Sequence, residues 1–155
     1  MLRRMAYVTA EARQELLDTV ARATDEIGGA LAALTEAYEQ VDDRTGDRLE
    51  EELFKPVQRA YASARRTHEG FATRVELPTR TFAPPASHAP RAPRKAVEDA
   101  VEAVQEADEI LIELQDSMAP VEVGDPELRA GLQDVRKLLV EADERSVGFL
   151  RVLGR

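Results

Sequence analysis

Residues 17–41 read LDTVARATDEIGGALAALTEAYEQV, and the spacing of their apolar positions decides the fold class. Leu17, Val20, Thr24, Ile27, Leu31, Leu34, Tyr38 and Val41 recur at intervals that alternate between three and four. That period returns side chains to one face of an α-helix, whereas a strand would alternate every second residue. A helix with a single apolar stripe is stable only when another element covers that stripe.

Three further segments carry the same signal. The second places Phe54, Val57, Tyr61, Ala64, His68, Phe71 and Val75 on one seam, and the third places Val97, Ala100, Val104, Ala107, Leu111, Leu114 and Met118. The fourth gives Leu128, Leu132, Val135, Leu139, Ala142, Ser146, Phe149 and Leu153. Thr9 is the expected cap of the first helix, and Asp47 with Glu50 three residues on resembles a capping box for the second. Asp125, Pro126 and Glu127 begin the fourth helix with an N-cap, a first-position proline and an acid at the positive end of the helix dipole. Pro56 interrupts the second segment and predicts a kink near Phe54.

Short connections, DDRTGD at 42–47 and APVEVGD at 119–125, make each consecutive pair a hairpin. The expected architecture is all-α: a single domain over residues 1–155, built as an antiparallel four-helix bundle. Its N-terminal hairpin covers 9–77, a Pro-rich linker 78–92 and a C-terminal hairpin 93–153. Between Ala96 and Met118 every charged residue is acidic, whereas Lys55, Arg59, Arg65, Arg66 and Arg74 outnumber Glu69 in the second segment. That contrast predicts that the second and third helices are antiparallel neighbours.

Composition limits the chemistry. The 155 residues include no cysteine, which excludes disulfides, cysteine-based zinc sites and thiol nucleophiles. The balance of 21 basic against 30 acidic residues gives a net charge of −9, which opposes binding to nucleic acid. The apolar stretch IGGALAALT at 27–35 falls far short of the roughly 20 residues that span a bilayer, so membrane insertion is not expected. No apolar signal-peptide core follows Arg3 and Arg4, and a cytoplasmic location is the expectation.

His68 is the most suggestive single residue, because it interrupts an otherwise apolar or aromatic seam and lies one heptad beyond Tyr61. A buried imidazole serves as a ligand for metal or haem, or as a base, but the commoner case is a partly exposed or hydrogen-bonded histidine near a bundle end. The Glu-x-x-His motif of di-iron bundles is absent, since Arg65 stands three before His68 and Pro85 three before His88. With the second and third helices antiparallel, His68 and Met118 would lie at opposite ends, too far apart to share a haem. Thr24 and Ser146 also interrupt seams, and helical hydroxyls of this kind bond a carbonyl one turn back. No cofactor is expected, and no phosphate loop, nucleophile elbow or zinc-protease motif occurs. Tyr38–Asp42 and Tyr7–Glu11 each match a tyrosine-any-three-acid pattern that resembles the export signal of small secreted helical hairpins, although the chain has no tryptophan.

The expected function is therefore non-enzymatic: a scaffold, adaptor or regulatory subunit that binds a protein partner, with a homo-oligomer as a further option. Its candidate contact residues are Phe82, Arg91, Arg94 and Lys95 in the cationic joint, where Pro90-x-x-Pro93 suits polyproline recognition. Glu98, Glu102, Glu106, Glu109 and Glu113 on the acidic third helix complete the set. The alternatives are a ligand-, metal- or haem-binding bundle with its site near His68 and Tyr61, and a small secreted helical substrate or its chaperone.

Overall fold

Four long amphipathic segments become helices in the computed structural model, which describes residues 2–85 and 90–153, the side chains of 2–8 aside. The elements are α1 (Leu2–Gln40), α2 (Asp43–Leu49), a π-helical turn (Glu50–Phe54), α3 (Lys55–Arg74), α4 (Pro93–Asp116), the single-turn α5 (Ala119–Glu122) and α6 (Pro126–Leu153). Among the described residues there is no strand.

Several boundaries differ from expectation, each for a local reason. Helix α1 runs through Thr9 to Leu2, so Thr9 is an interior residue and not a cap. The second helix starts earlier than Asp47: Asp42 is extended and its side chain accepts from the Thr45 amide at 2.7 Å. The DDRTGD stretch is thereby mostly helix, leaving Val41 and Asp42 as the turn. Pro56 lacks the amide that would continue the ladder, and the helix answers with a wider turn in which the Lys55 amide donates to the Glu50 carbonyl, five residues back. That extra residue rotates the frame. Leu49 and Leu53 enter the core, while Phe54 is only half-buried. The expected start of α6 holds, with the Leu128 amide donating to Asp125 Oδ1 at 2.9 Å.

The buried residues form one apolar cluster drawn from all four long helices. Each seam contributes as its spacing predicts, except at the ends: Tyr38 and Met118 are exposed. Met118 sits after the end of α4 at φ 65°, a left-handed position that closes the helix before α5. Helix α1 is buried more broadly than one stripe, adding Leu16, Ala23, Ala30, Ala33 and Ala37, because α3, α4 and the joint all lie on it. Thr24 and Ser146 satisfy their hydroxyls on the carbonyls of Val20 and Asp143.

The placement of α3 and α4 overturns the charge-based expectation. Helix α1 packs on both α3 and α4, and α6 packs on both of them from the other side, whereas α3 and α4 do not pack along each other. Arg91, at the start of α4, meets Glu36 near the end of α1, and Arg136 and Asp143 of α6 meet Asp108 and Gln105 of α4. Arg74, at the end of α3, meets Asp125 at the start of α6. These contacts make every packed pair antiparallel, so α3 and α4 run in the same direction across the diagonal. The charge argument failed because exposed pairs contribute only ~0–1 kcal/mol and do not dictate neighbours. The joint must consequently travel along the molecule, past a helix α4 whose 24 residues rise about 36 Å. Extended chain at about 3.1 Å per residue covers that distance with residues 75–92.

Glycine marks the closest approach of α3 to α6. A methyl group at Gly131 would stand 2.3 Å from Thr67 Oγ1 and 2.9 Å from its Cγ2, and the β-branched threonine cannot swing both atoms away. Gly131→Ala should destabilise the protein by about 1–3 kcal/mol in urea unfolding. The double variant Gly131→Ala/Thr67→Ala should recover most of that loss, and additive effects would mean that the two helices do not meet there.

Candidate functional site

The joint is the segment without a core-forming repeat, and it is nevertheless held on the helices. Phe82 is buried, its ring 5.1 Å from that of His68 and nearly perpendicular to it. Arg80 lies over the Phe82 ring, 4.7 Å from its centroid, and pairs with Asp25 of α1 at 2.9 Å. Pro84 comes close to Gly28, where an added Cβ would lie 3.7 Å from it and 3.3 Å from the Tyr61 ring. The absent side chain at Gly28 thus eases the approach of the Tyr61 ring to α1, whereas Pro84 would meet a methyl group there at ordinary contact distance. Residues 86–89, including His88, lie outside the described residues.

A second anchor fixes the joint near the start of α4. Glu36 is 5 % exposed, and its carboxylate accepts from the Arg91 backbone amide at 2.9 Å as well as from the Arg91 guanidinium. Arg91 also donates to Asp99 at 3.1 Å, and its carbonyl accepts from Gln40 at 2.7 Å. The Glu36 bond raises the Arg91 pKa, and Lys95 leads Arg91 in holding Asp99 below the ordinary carboxylate range. Arg94 donates to the Leu150 carbonyl and pairs with Glu98, and Lys95 pairs with Asp99. Phe82, Arg91, Arg94 and Lys95 therefore all engage their own chain.

The candidate residues of α4 behave differently. Glu98 is paired, but Glu102, Glu106, Glu109 and Glu113 are exposed and form no ion pair among the described residues. Glu106 faces Glu26 of α1, and burial followed by the Glu106 charge raises the Glu26 pKa. This acidic ridge remains unneutralised because the cations of α3 stand on the far side of the molecule.

His68 sits beneath the joint, not in an open pocket, and Tyr61 is buried at the edge of the cleft between α1 and α3. His68 is 4 % exposed, and among the described residues neither its Nδ1 nor the Tyr61 hydroxyl has a hydrogen-bond partner. Where the sequence suggests a partly exposed or hydrogen-bonded histidine, the ring is buried and packs against the Phe82 ring. Burial, reinforced by Arg80 and opposed by Asp18, lowers its pKa; burial likewise raises that of Tyr61. Among the described residues no three metal-ligating side chains gather. The geometric reason for separating His68 from Met118 no longer applies, since α3 and α4 run the same way; instead Phe82 covers the imidazole and Met118 points outward, 52 % exposed. Tyr38 of the export-like pattern is exposed, and Asp42 of the same pattern caps α2.

Sequence reasoning missed Glu36 and Asp25 as the anchors of the joint. A signal existed for Glu36, which lies among Ala33, Leu34 and Ala37 on the buried side of α1. Scans against protein-family models, curated proteins and solved structures return no match.

Two measurements check this arrangement. Arg91→Ala leaves Glu36 buried without its guanidinium and should cost about 2 kcal/mol in urea unfolding, while exposed Arg94→Ala should cost under about 0.5 kcal/mol. Because the folded His68 pKa lies below the ordinary 6.5, its neutral form contributes full stability above that pH. The contribution is lost as pH falls from 6.5 through the depressed folded value. His68→Leu should flatten this part of the stability–pH curve relative to the wild type.

Proposed function

We propose that the chain is a non-enzymatic, cytoplasmic interaction module: an antiparallel four-helix bundle with a crossover joint, presenting the outer face of α4 to a basic protein partner. The observation that carries this reading is the row Glu102, Glu106, Glu109 and Glu113, exposed and without ion pairs among the described residues. Spacings of three and four along one helix place these carboxylates on a continuous strip, and like charges so arranged are destabilising by themselves. A cationic partner surface relieves that repulsion and gains in rate and specificity from the complementary field. The joint contributes less to partner binding on this reading, since its aromatic and cationic side chains are engaged in cis. No helix is long and apolar enough to cross a membrane among the described residues.

Affinity capture from native lysate tests the reading. A partner retained by the wild-type chain should be lost with the Glu102→Gln/Glu106→Gln/Glu109→Gln/Glu113→Gln variant. Its binding should also weaken steeply as salt shortens the screening length below about 8 Å. Capture that persists in the variant, or that ignores salt, places the interface elsewhere.

A further inference from the structure

Beside Pro84, among the described residues, the cleft between α1 and α3 forms a trough of about 560 Å³ whose apolar lining includes Leu31, Phe54, Tyr61, Ala62 and Pro84. The π-helical turn shapes this trough, because it leaves Phe54 half-buried at the wall instead of in the core. Such turns recur where helices build binding sites. The volume falls within the range of small-molecule sites, about 300–1,000 Å³.

Charge distinguishes this trough from a bare apolar groove. At Ala62 and Arg65 it adjoins a second recess of about 370 Å³, bordered by Arg65, Arg66 and Arg80 together with Thr79 and Thr81. Arg80 is paired with Asp25, whereas Arg65 and Arg66 form no ion pair among the described residues. Arg59 stands at the trough wall, also without an ion pair, and Glu69 is the one acid bordering the recess. In a chain of net charge −9 this is a local excess of cations beside an apolar channel. Arg65 already lies 4.8 Å from the Tyr61 ring centroid, so its position at the junction is defined. The Tyr61 hydroxyl, on a side chain 6 % exposed, has no hydrogen-bond partner among the described residues.

We propose that this face binds a single-chain amphiphile with an anionic head, of the fatty-acid class. The hydrocarbon lies in the trough between α1 and α3, and the carboxylate sits between Arg65 and Arg66. Guanidinium groups meet carboxylates through charge-assisted, often bidentate hydrogen bonds, and Thr79 and Thr81 supply further hydroxyl donors. The site is independent of the acidic ridge on α4, which lies across the diagonal.

Calorimetric titration of the full chain with decanoate tests the proposal, with decanol, decyltrimethylammonium and vesicles of anionic two-chain phospholipid as comparisons. One decanoate should bind per chain, and decanol should bind at least about tenfold more weakly for want of the charge-assisted contacts. The ammonium amphiphile and the vesicles should not bind. Arg65→Glu/Arg66→Glu should weaken decanoate about tenfold or more, and Ala62→Trp, which fills the trough from a half-buried position, should abolish binding. Far-ultraviolet circular dichroism checks that both variants retain their helix content; should either unfold, Arg65→Gln and Ala62→Leu take their places. The proposal is overturned by equal affinity for decanoate and decanol, or by several decanoates per chain unaffected by the variants. Binding to vesicles alone, or to an acidic amphipathic peptide but not decanoate, overturns it equally.

Discussion

The anchoring of the joint to α1 and α3 is the constraint on which the rest of the structure depends. Phe82 against His68, Arg80 on Asp25 and Arg91 on Glu36 fix a proline-rich segment along helix surface where no core-forming repeat exists. Because that segment runs the length of the molecule, α4 begins at the same end as α3 and proceeds in the same direction. Every packed helix pair is then antiparallel, and the two helices of greatest charge contrast stand apart.

That separation has electrostatic consequences that side-by-side helices would erase. The carboxylates of α4 find a few cations, Arg136 for Asp108 and Lys95 for Asp99, and the outer row finds none among the described residues. On the far side Arg59 and Arg65 line the trough, and Arg66 borders the recess beside the joint. At the helix ends Arg74 forms two bonds to Asp125, at 2.7 and 2.9 Å, and holds the Asp125 carboxyl below the ordinary carboxylate range. A bidentate contact at the start of α6 also supports the cap that Asp125 provides to Leu128.

The helical character and most of the core were legible in the sequence, because a three-four repeat is a direct record of which side chains face inward. Every seam residue of the fourth helix from Leu128 to Phe149 is buried. The Phe54 position was not legible, since the missing amide of Pro56 widens the turn and shifts the frame by one residue, admitting Leu49 and Leu53 instead. Topology was not legible either. Exposed charges decide little about neighbours, and the residues that do fix the joint, Glu36 and Asp25, lie outside the seven-residue stripe. The candidate contacts in the joint were found as an unusual composition, but their engagement with α1 depends on tertiary proximity between residues some 55 positions apart.

The direction of α4 relative to α3 is the central claim, and the absence of cysteine makes it directly measurable. Spin labels on cysteines introduced at exposed Glu69 and Glu113, and separately at Glu69 and Glu98, allow pulsed electron–electron distance measurements across the molecule. The account predicts a shorter distance for Glu69–Glu113, because both positions lie toward the ends of their helices at the same end of the molecule. A shorter Glu69–Glu98 distance would mean that α3 and α4 run in opposite directions and would contradict it.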